Sequence, residues 1–114
     1  MEKSETIKSK QEFSKLIKNS KFIKNNDFVI YYNENNLSKK RFGIAISNKI
    51  GNAVIRNKLK RQTREIIDKL KTLFKNEQDY IIMIRKGCLY TSFNERLENL
   101  EKLLKEKLWK RKSL

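Results

Sequence analysis

Arg56, Lys60 and Arg64 recur at intervals of four residues, with Asn57 and Arg61 beside them, inside a stretch at positions 39–64 that holds nine Lys/Arg residues and no Asp or Glu. On a helix such a row places cations about 6 Å apart, one turn between neighbours, which suits tracking along a polyphosphate backbone. Arginine brings paired N–H donors to phosphate oxygens, and asparagine can both donate and accept toward base edges or 2′-hydroxyls. Just upstream, Gly51 is expected to take the positive φ of a strand-to-helix turn, and Asn52 to cap the helix start. The free amides of that helix start add an anion site.

The remaining residues offer no rival chemistry. There is no histidine and a single cysteine, Cys88, so an internal disulfide, a Cys–His or Ser–His nucleophile pair and a zinc ligand set are all excluded. Cys88 reads as a small apolar residue at the end of a strand. Glu65 and Asp68 stand among Arg64, Lys69 and Lys71, which makes them surface partners, and Glu95, Glu98, Glu101 and Glu106 form the solvated side of a later helix. No carboxylates converge to hold magnesium on the protein. Any reaction this chain serves takes its catalytic groups from elsewhere.

The charge points the same way. The 114 residues carry 28 basic against 13 acidic side chains, a formal net charge of +15, and self-repulsion on that scale suits a chain that works neutralised by a polyanion. Nucleic acid fits better than a membrane, since no apolar run approaches the roughly 20 residues of a spanning helix. No apolar signal-peptide stretch is evident, which places the chain in the cytoplasm. Its length and 38% hydrophobic content suit one domain over positions 1–114, with a mobile basic arm at 1–8 and a basic tail at 109–114.

Ser9 and Glu12 match a capping box opening a short helix to about Asn19, with Phe13, Leu16 and Ile17 on one side. Positions 28–33 alternate as a strand, and 34–38 read as a hairpin connection to a second strand at 40–47. Its Phe42, Ile44 and Ile46 face the core, and Gly43 and Ala45 on the other face leave room for something to lie against the sheet. The basic helix runs to about Phe74 with Ile55, Leu59, Ile66, Leu70 and Leu73 as its buried stripe. The apolar run within 79–86 is a central strand covered on both faces, and Ser92 with Glu95 caps a last helix. The pattern is an α+β sandwich with one sheet.

The string RFGIAISNKIGNAVIRNKLKRQTREII resembles the protein subunit of bacterial ribonuclease P. The carrying residues are Lys49, Gly51, Asn52, Ala53 and Val54 in the turn, the Arg56–Asn57 pair, and Lys60, Arg61 and Arg64 beyond it. The early helix, the strands and the final helix fall in the family's order over nearly the whole chain. The resemblance implies the order αβββαβα, one central sheet and a left-handed βαβ crossover made by the basic helix. It implies an endoribonuclease in which a catalytic RNA uses Mg2+ to remove the 5′ leader of precursor tRNA, with this chain as the non-catalytic protein subunit.

The resemblance further implies that Lys49, Gly51, Asn52, Arg56, Asn57, Lys58, Lys60, Arg61 and Arg64 contact the catalytic RNA, and that Phe13, Ile17, Val29 and Tyr31 line a cleft for the single-stranded leader. Two positions depart from the family pattern. Lys58 replaces an arginine and loses its planar fork, and Ile17 replaces an aromatic and cannot stack. The partners implied are the catalytic RNA and precursor tRNA, with no DNA, membrane or obligate protein partner. The rival class is a structural, ribosomal-type RNA-binding protein, which accounts for the charge but not for the turn-and-helix string.

Overall fold

The computed structural model describes residues 6–7 and 10–109. Its elements are α1 (Lys10–Asn19), β1 (Lys21–Lys24), β2 (Phe28–Glu34), β3 (Arg41–Ile46), α2 (Ala53–Lys69), β4 (Gln78–Ile84) and α3 (Phe93–Leu104). This is the expected αβββαβα order. The four strands form one mixed sheet in the order β1-β2-β4-β3.

The hairpin expected at 34–38 does not form. β2 pairs antiparallel with β1 and β4, and β3 lies on the far side of β4, parallel to it. The cause is the apolar run of β4, which hides most when strands flank it on both edges as well as layers on both faces. Tyr80, Ile81, Ile82 and Ile84 are all buried. The β3–α2–β4 segment therefore makes the crossover.

Period-two alternation sorts the sheet into two faces. Phe28, Ile30, Phe42, Tyr80, Ile82 and Ile84 point to the side covered by α2 and α3, where they join Leu59, Ile66, Ile67, Leu100 and Leu104 in the core. Phe42 stacks on Tyr80 at 5.4 Å between ring centroids, and Phe74 meets both rings edge-on. The opposite face carries Val29, Tyr31, Ile81, Met83, Gly43 and Ala45, and α1 packs there.

Local signals held where chain-local chemistry decides. The Ser92–Glu95 capping box is present in both directions, and the Asn52 side chain accepts from the Ile55 amide at 3.0 Å. The Ser9 capping box and the 110–114 part of the tail lie outside the described residues, as do positions 1–5 and 8 of the arm. Thr6 and Ile7 are not free: Ile7 is buried, and its amide donates to the Phe42 carbonyl beside β3. α2 ends at Lys69 and gives way to a 3-10 turn at Lys71–Leu73, short of Phe74. Cys88 sits in a 3-10 segment, Lys86–Tyr90, past the strand end. Burial there pushes its thiol up to about 11.

Candidate nucleic-acid interface

The basic helix starts from a turn built by its own residues. After β3 a 3-10 turn, Asn48–Ile50, leads through Gly51 to the Asn52 cap. Gly51 is fully extended at φ 168°, not left-handed, which corrects the expected positive φ. What its missing side chain provides is proximity, since a Cβ there would press against the Ile55 side chain at 3.2–3.3 Å. Ile55 itself leaves the expected buried stripe. It is 38% exposed because the first turn of α2 projects past the sheet, and Ile67 takes a buried place further along.

Arg56 does two jobs. Its Nε donates to the Gly51 carbonyl at 3.1 Å and its Nη1 to Asn48 Oδ1 at 2.5 Å, so the guanidinium latches the turn against the helix. Lys60 and Arg64 continue the row along α2, and Asn57, Lys58 and Arg61 lie exposed beside it. Among the described residues Lys58, Lys60, Arg61 and Arg64 make no ion pair. Lys49 faces solvent in the turn.

Two cations of the acid-free stretch are consumed by the fold. Lys40 donates to the carbonyls of Lys71 and Phe74 at 2.6 and 2.9 Å, closing the end of the α2 segment. Arg41 forms a two-pronged pair with Asp79 at 2.9 and 2.7 Å and also meets Glu12 of α1 at 3.1 Å. The hydrogen bonds to Asp79 raise the Arg41 pKa despite its partial burial. Arg41 thus fastens α1 to the sheet and offers little charge to a ligand.

On the other side of the sheet, Phe13 of α1 settles onto Gly43 so closely that a Cβ at position 43 would lie 2.5 Å from its ring tip. This is what occupies the room left by the small residues of β3. Phe13 and Ile17 on α1 and Val29 and Tyr31 on the sheet face that α1 covers are all half-buried, at the junction where the resemblance places a cleft. One end of the cleft is polar, a cavity of about 290 Å³ lined by Glu12, Glu34 and Asp79 against Lys15 and Arg41. Beyond the other side, Phe22 of β1 stands across from Tyr31, their ring centroids 6.0 Å apart.

The structure therefore divides the candidate residues between two surfaces. Lys49, Gly51, Asn52, Arg56, Asn57, Lys58, Lys60, Arg61 and Arg64 gather at α2 and its turn, and Phe13, Ile17, Val29 and Tyr31 gather under α1 across the sheet. Sequence spacing did not single out Asn48, which holds Arg56, whereas the room expected at Gly43 is filled by Phe13. Among the described residues no three carboxylate or cysteine side chains are grouped to hold a metal ion. No helix among them is long and apolar enough to cross a membrane.

A family model described as Ribonuclease P matches residues 1–108. The chain is 42% identical over 110 residues to the ribonuclease P protein component of Mycoplasma mycoides subsp. mycoides, covering 93% of this chain and 98% of that one. Among solved structures it is similar to a Staphylococcus aureus RNase P protein mutant with defective mRNA degradation activity, with TM-score 0.83 and 34% identity over 92% of this chain and 89% of that one. It is also similar to the RNase P protein from Thermotoga maritima, with TM-score 0.80 and 31% identity over 90% and 96% of the two chains.

Proposed function

The chain belongs to the ribonuclease P protein family, and from that premise we propose that α2 and its turn hold the catalytic RNA while the cleft under α1 holds the 5′ leader of precursor tRNA. The chain is the protein component of a ribonucleoprotein endoribonuclease in which RNA carries the catalysis. The RNase P RNA is its partner.

The observation that supports the division of labour is the placement of α1 and α2 on opposite faces of one sheet. One RNA can lie along the cations of α2 without blocking the cleft, and a four-stranded sheet fixes the distance between the two. Arg56, Asn57, Lys58, Lys60, Arg61 and Arg64 supply phosphate and 2′-hydroxyl contacts on one side. Phe13, Ile17, Val29 and Tyr31 supply apolar and stacking contact to unpaired bases on the other.

Catalysis then gains through differential binding. Mature tRNA lacks the leader, so contacts in the cleft favour precursor over product, and the protein's positive charge reduces repulsion between the two RNAs. Mg2+, which the family implies, has no converging donor set among the described residues, so we assign it to the RNA, where it supplies the hydrolytic chemistry. The protein's own residues bind and orient. The setting of this assembly is the cytoplasm.

The test is cleavage of a 5′-extended precursor tRNA by a bacterial ribonuclease P RNA at low magnesium, with and without the protein. Expected is stimulation with a single mature 5′ end, lost when Lys60 and Arg64 become alanine, and binding of the precursor that is tighter than binding of the leaderless tRNA. If about four leader phosphates are neutralised, leader-dependent affinity should fall with a log–log salt slope of roughly −3. Tight RNA binding without stimulation, or a slope near zero, refutes the reading.

A further inference from the structure

Phe22 is the least explained large side chain in the fold. It lies on β1, an edge strand of four residues, and is 56% exposed. The register places it directly across from Tyr31, and Lys24 across from Val29, so both point to the face that carries the cleft. α1 packs on β2 and β4 on that face, and Phe22 at the edge stays more than half exposed. Phe22 therefore stands just outside the cleft wall, with its ring tilted 49° to that of Tyr31.

A phenylalanine in this position costs solubility and invites edge pairing, and Tyr31 shelters only one side of the ring. Lys24, on the same face of β1, is an exposed cation, whereas Lys21 lies across from Tyr32 on the opposite face. The two ends of the cleft are thus unlike. Toward Glu12, Glu34 and Asp79 three carboxylates outnumber Lys15 and Arg41, and phosphates approaching there meet repulsion. Over β1 they meet Lys24. Phe13 has its ring tip pressed to Gly43 and Ile17 is aliphatic, which leaves half-buried Tyr31 and exposed Phe22 as the aromatic rings for a base.

We propose that Phe22, with Lys24 beside it on the same face of β1, is a stacking shelf that takes one unpaired base of the precursor tRNA leader beyond the nucleotides held under α1. The inference rests on the leader reading given above and adds to it the direction of the strand, out over β1. Lys24 holds a phosphate beside the stacked base, and the 49° tilt between Phe22 and Tyr31 requires adjacent bases to splay and not to remain stacked on each other.

The experiment uses the full chain assembled with catalytic RNA, and two precursor tRNAs, one with a long leader and one whose leader ends inside the cleft. Phe22→Ala should weaken long-leader binding about fivefold, the lower end of base–aromatic stacking for a ring sheltered on one side, and leave short-leader binding unchanged. Phe22→Trp should retain long-leader affinity. Because stacking releases no counterions, Phe22→Ala should keep the wild-type salt slope, whereas Lys24→Ala should reduce it by about 0.7. Wild-type thermal unfolding of Phe22→Ala checks that the edge strand persists.

Equal losses with both leaders, or a loss toward the catalytic RNA alone, would overturn the shelf. So would leader discrimination by Phe22→Ala equal to that of wild type, in which case the leader reading stands and only the shelf falls. If the wild-type protein shows no preference for a leader, the functional reading fails and the shelf fails with it.

Discussion

Replacing Gly43 by alanine should uncouple leader binding from stability. An alanine Cβ would stand 2.5 Å from the tip of the Phe13 ring and 3.0 and 3.2 Å from its two neighbouring ring carbons, so Phe13 must retreat by about 1 Å to reach ordinary contact. Overpacking of this size costs about 1 kcal/mol when the obstructing group is a half-buried ring on a surface helix. Gly43 does not occupy a positive φ, so alanine is allowed by the backbone and recovers about 0.5–1 kcal/mol of strand entropy. The two terms nearly cancel, leaving a loss of about 0–0.5 kcal/mol. The retreat nevertheless moves a wall of the cleft, and leader-dependent affinity should fall roughly tenfold, about 1.4 kcal/mol. Gly87→Ala is the contrasting control. Its Cβ runs into the backbone carbonyl of Asn26, which cannot swing aside because the Asn25 side chain accepts from the amides of Asp27 and Phe28 at 2.8 Å and Arg85 grips the Asn25 carbonyl at 2.7 Å. That substitution should cost about 3 kcal/mol with no selectivity between ligands. Urea denaturation and paired binding assays with leader-bearing and leaderless tRNA measure both quantities. A loss near 3 kcal/mol for Gly43→Ala, or an equal loss of affinity for both tRNAs, would refute the view of α1 as a movable wall.

Arg64→Ala removes an exposed cation that makes no ion pair among the described residues, so the salt slope for catalytic RNA should drop by about 1 while unfolding changes by less than about 0.5 kcal/mol. Arg56→Ala should also lower stability, by about 1 kcal/mol, because it releases Asn48 and the Gly51 carbonyl; equal melting temperatures for the two variants would count against the latch. Desolvation raises the thiol of Cys88 to about 11 and raises the Tyr80 hydroxyl as well. The folded chain then holds these protons more tightly than the unfolded one, so stability is full below the ordinary thiol range and falls as pH climbs toward about 11, Cys88 contributing on the order of 2–3 kcal/mol. Urea midpoints at about pH 8 and 10.5 should differ for wild type by more than for Cys88→Ala, and identical differences would remove Cys88 as the cause.

The outcome for each residue follows how far away its determining partner lies in the chain. Asn52 and the Ser92–Glu95 pair were legible because a cap is satisfied within three residues. The composition of 39–64 marked a cationic helix, yet it could not show that Arg41 would be claimed by Asp79 and Lys40 by two carbonyls past the end of α2, partners 38, 31 and 34 positions distant. The hairpin expectation failed for the same reason, since the strand that separates β2 from β3 arrives only after α2. Phe22 is the sharpest case. Four residues reading Lys-Phe-Ile-Lys carry too little alternation to fix a strand or its faces, and nothing in them says which of Phe22 and Ile23 turns inward. The pairing of Phe22 with Tyr31 and of Ile23 with Ile30 decides it, burying the isoleucine against the core side and leaving the aromatic on the face of the cleft. A one-residue slip of β1 would exchange them. The register of an edge strand, and not its composition, therefore determines whether this surface can stack a base.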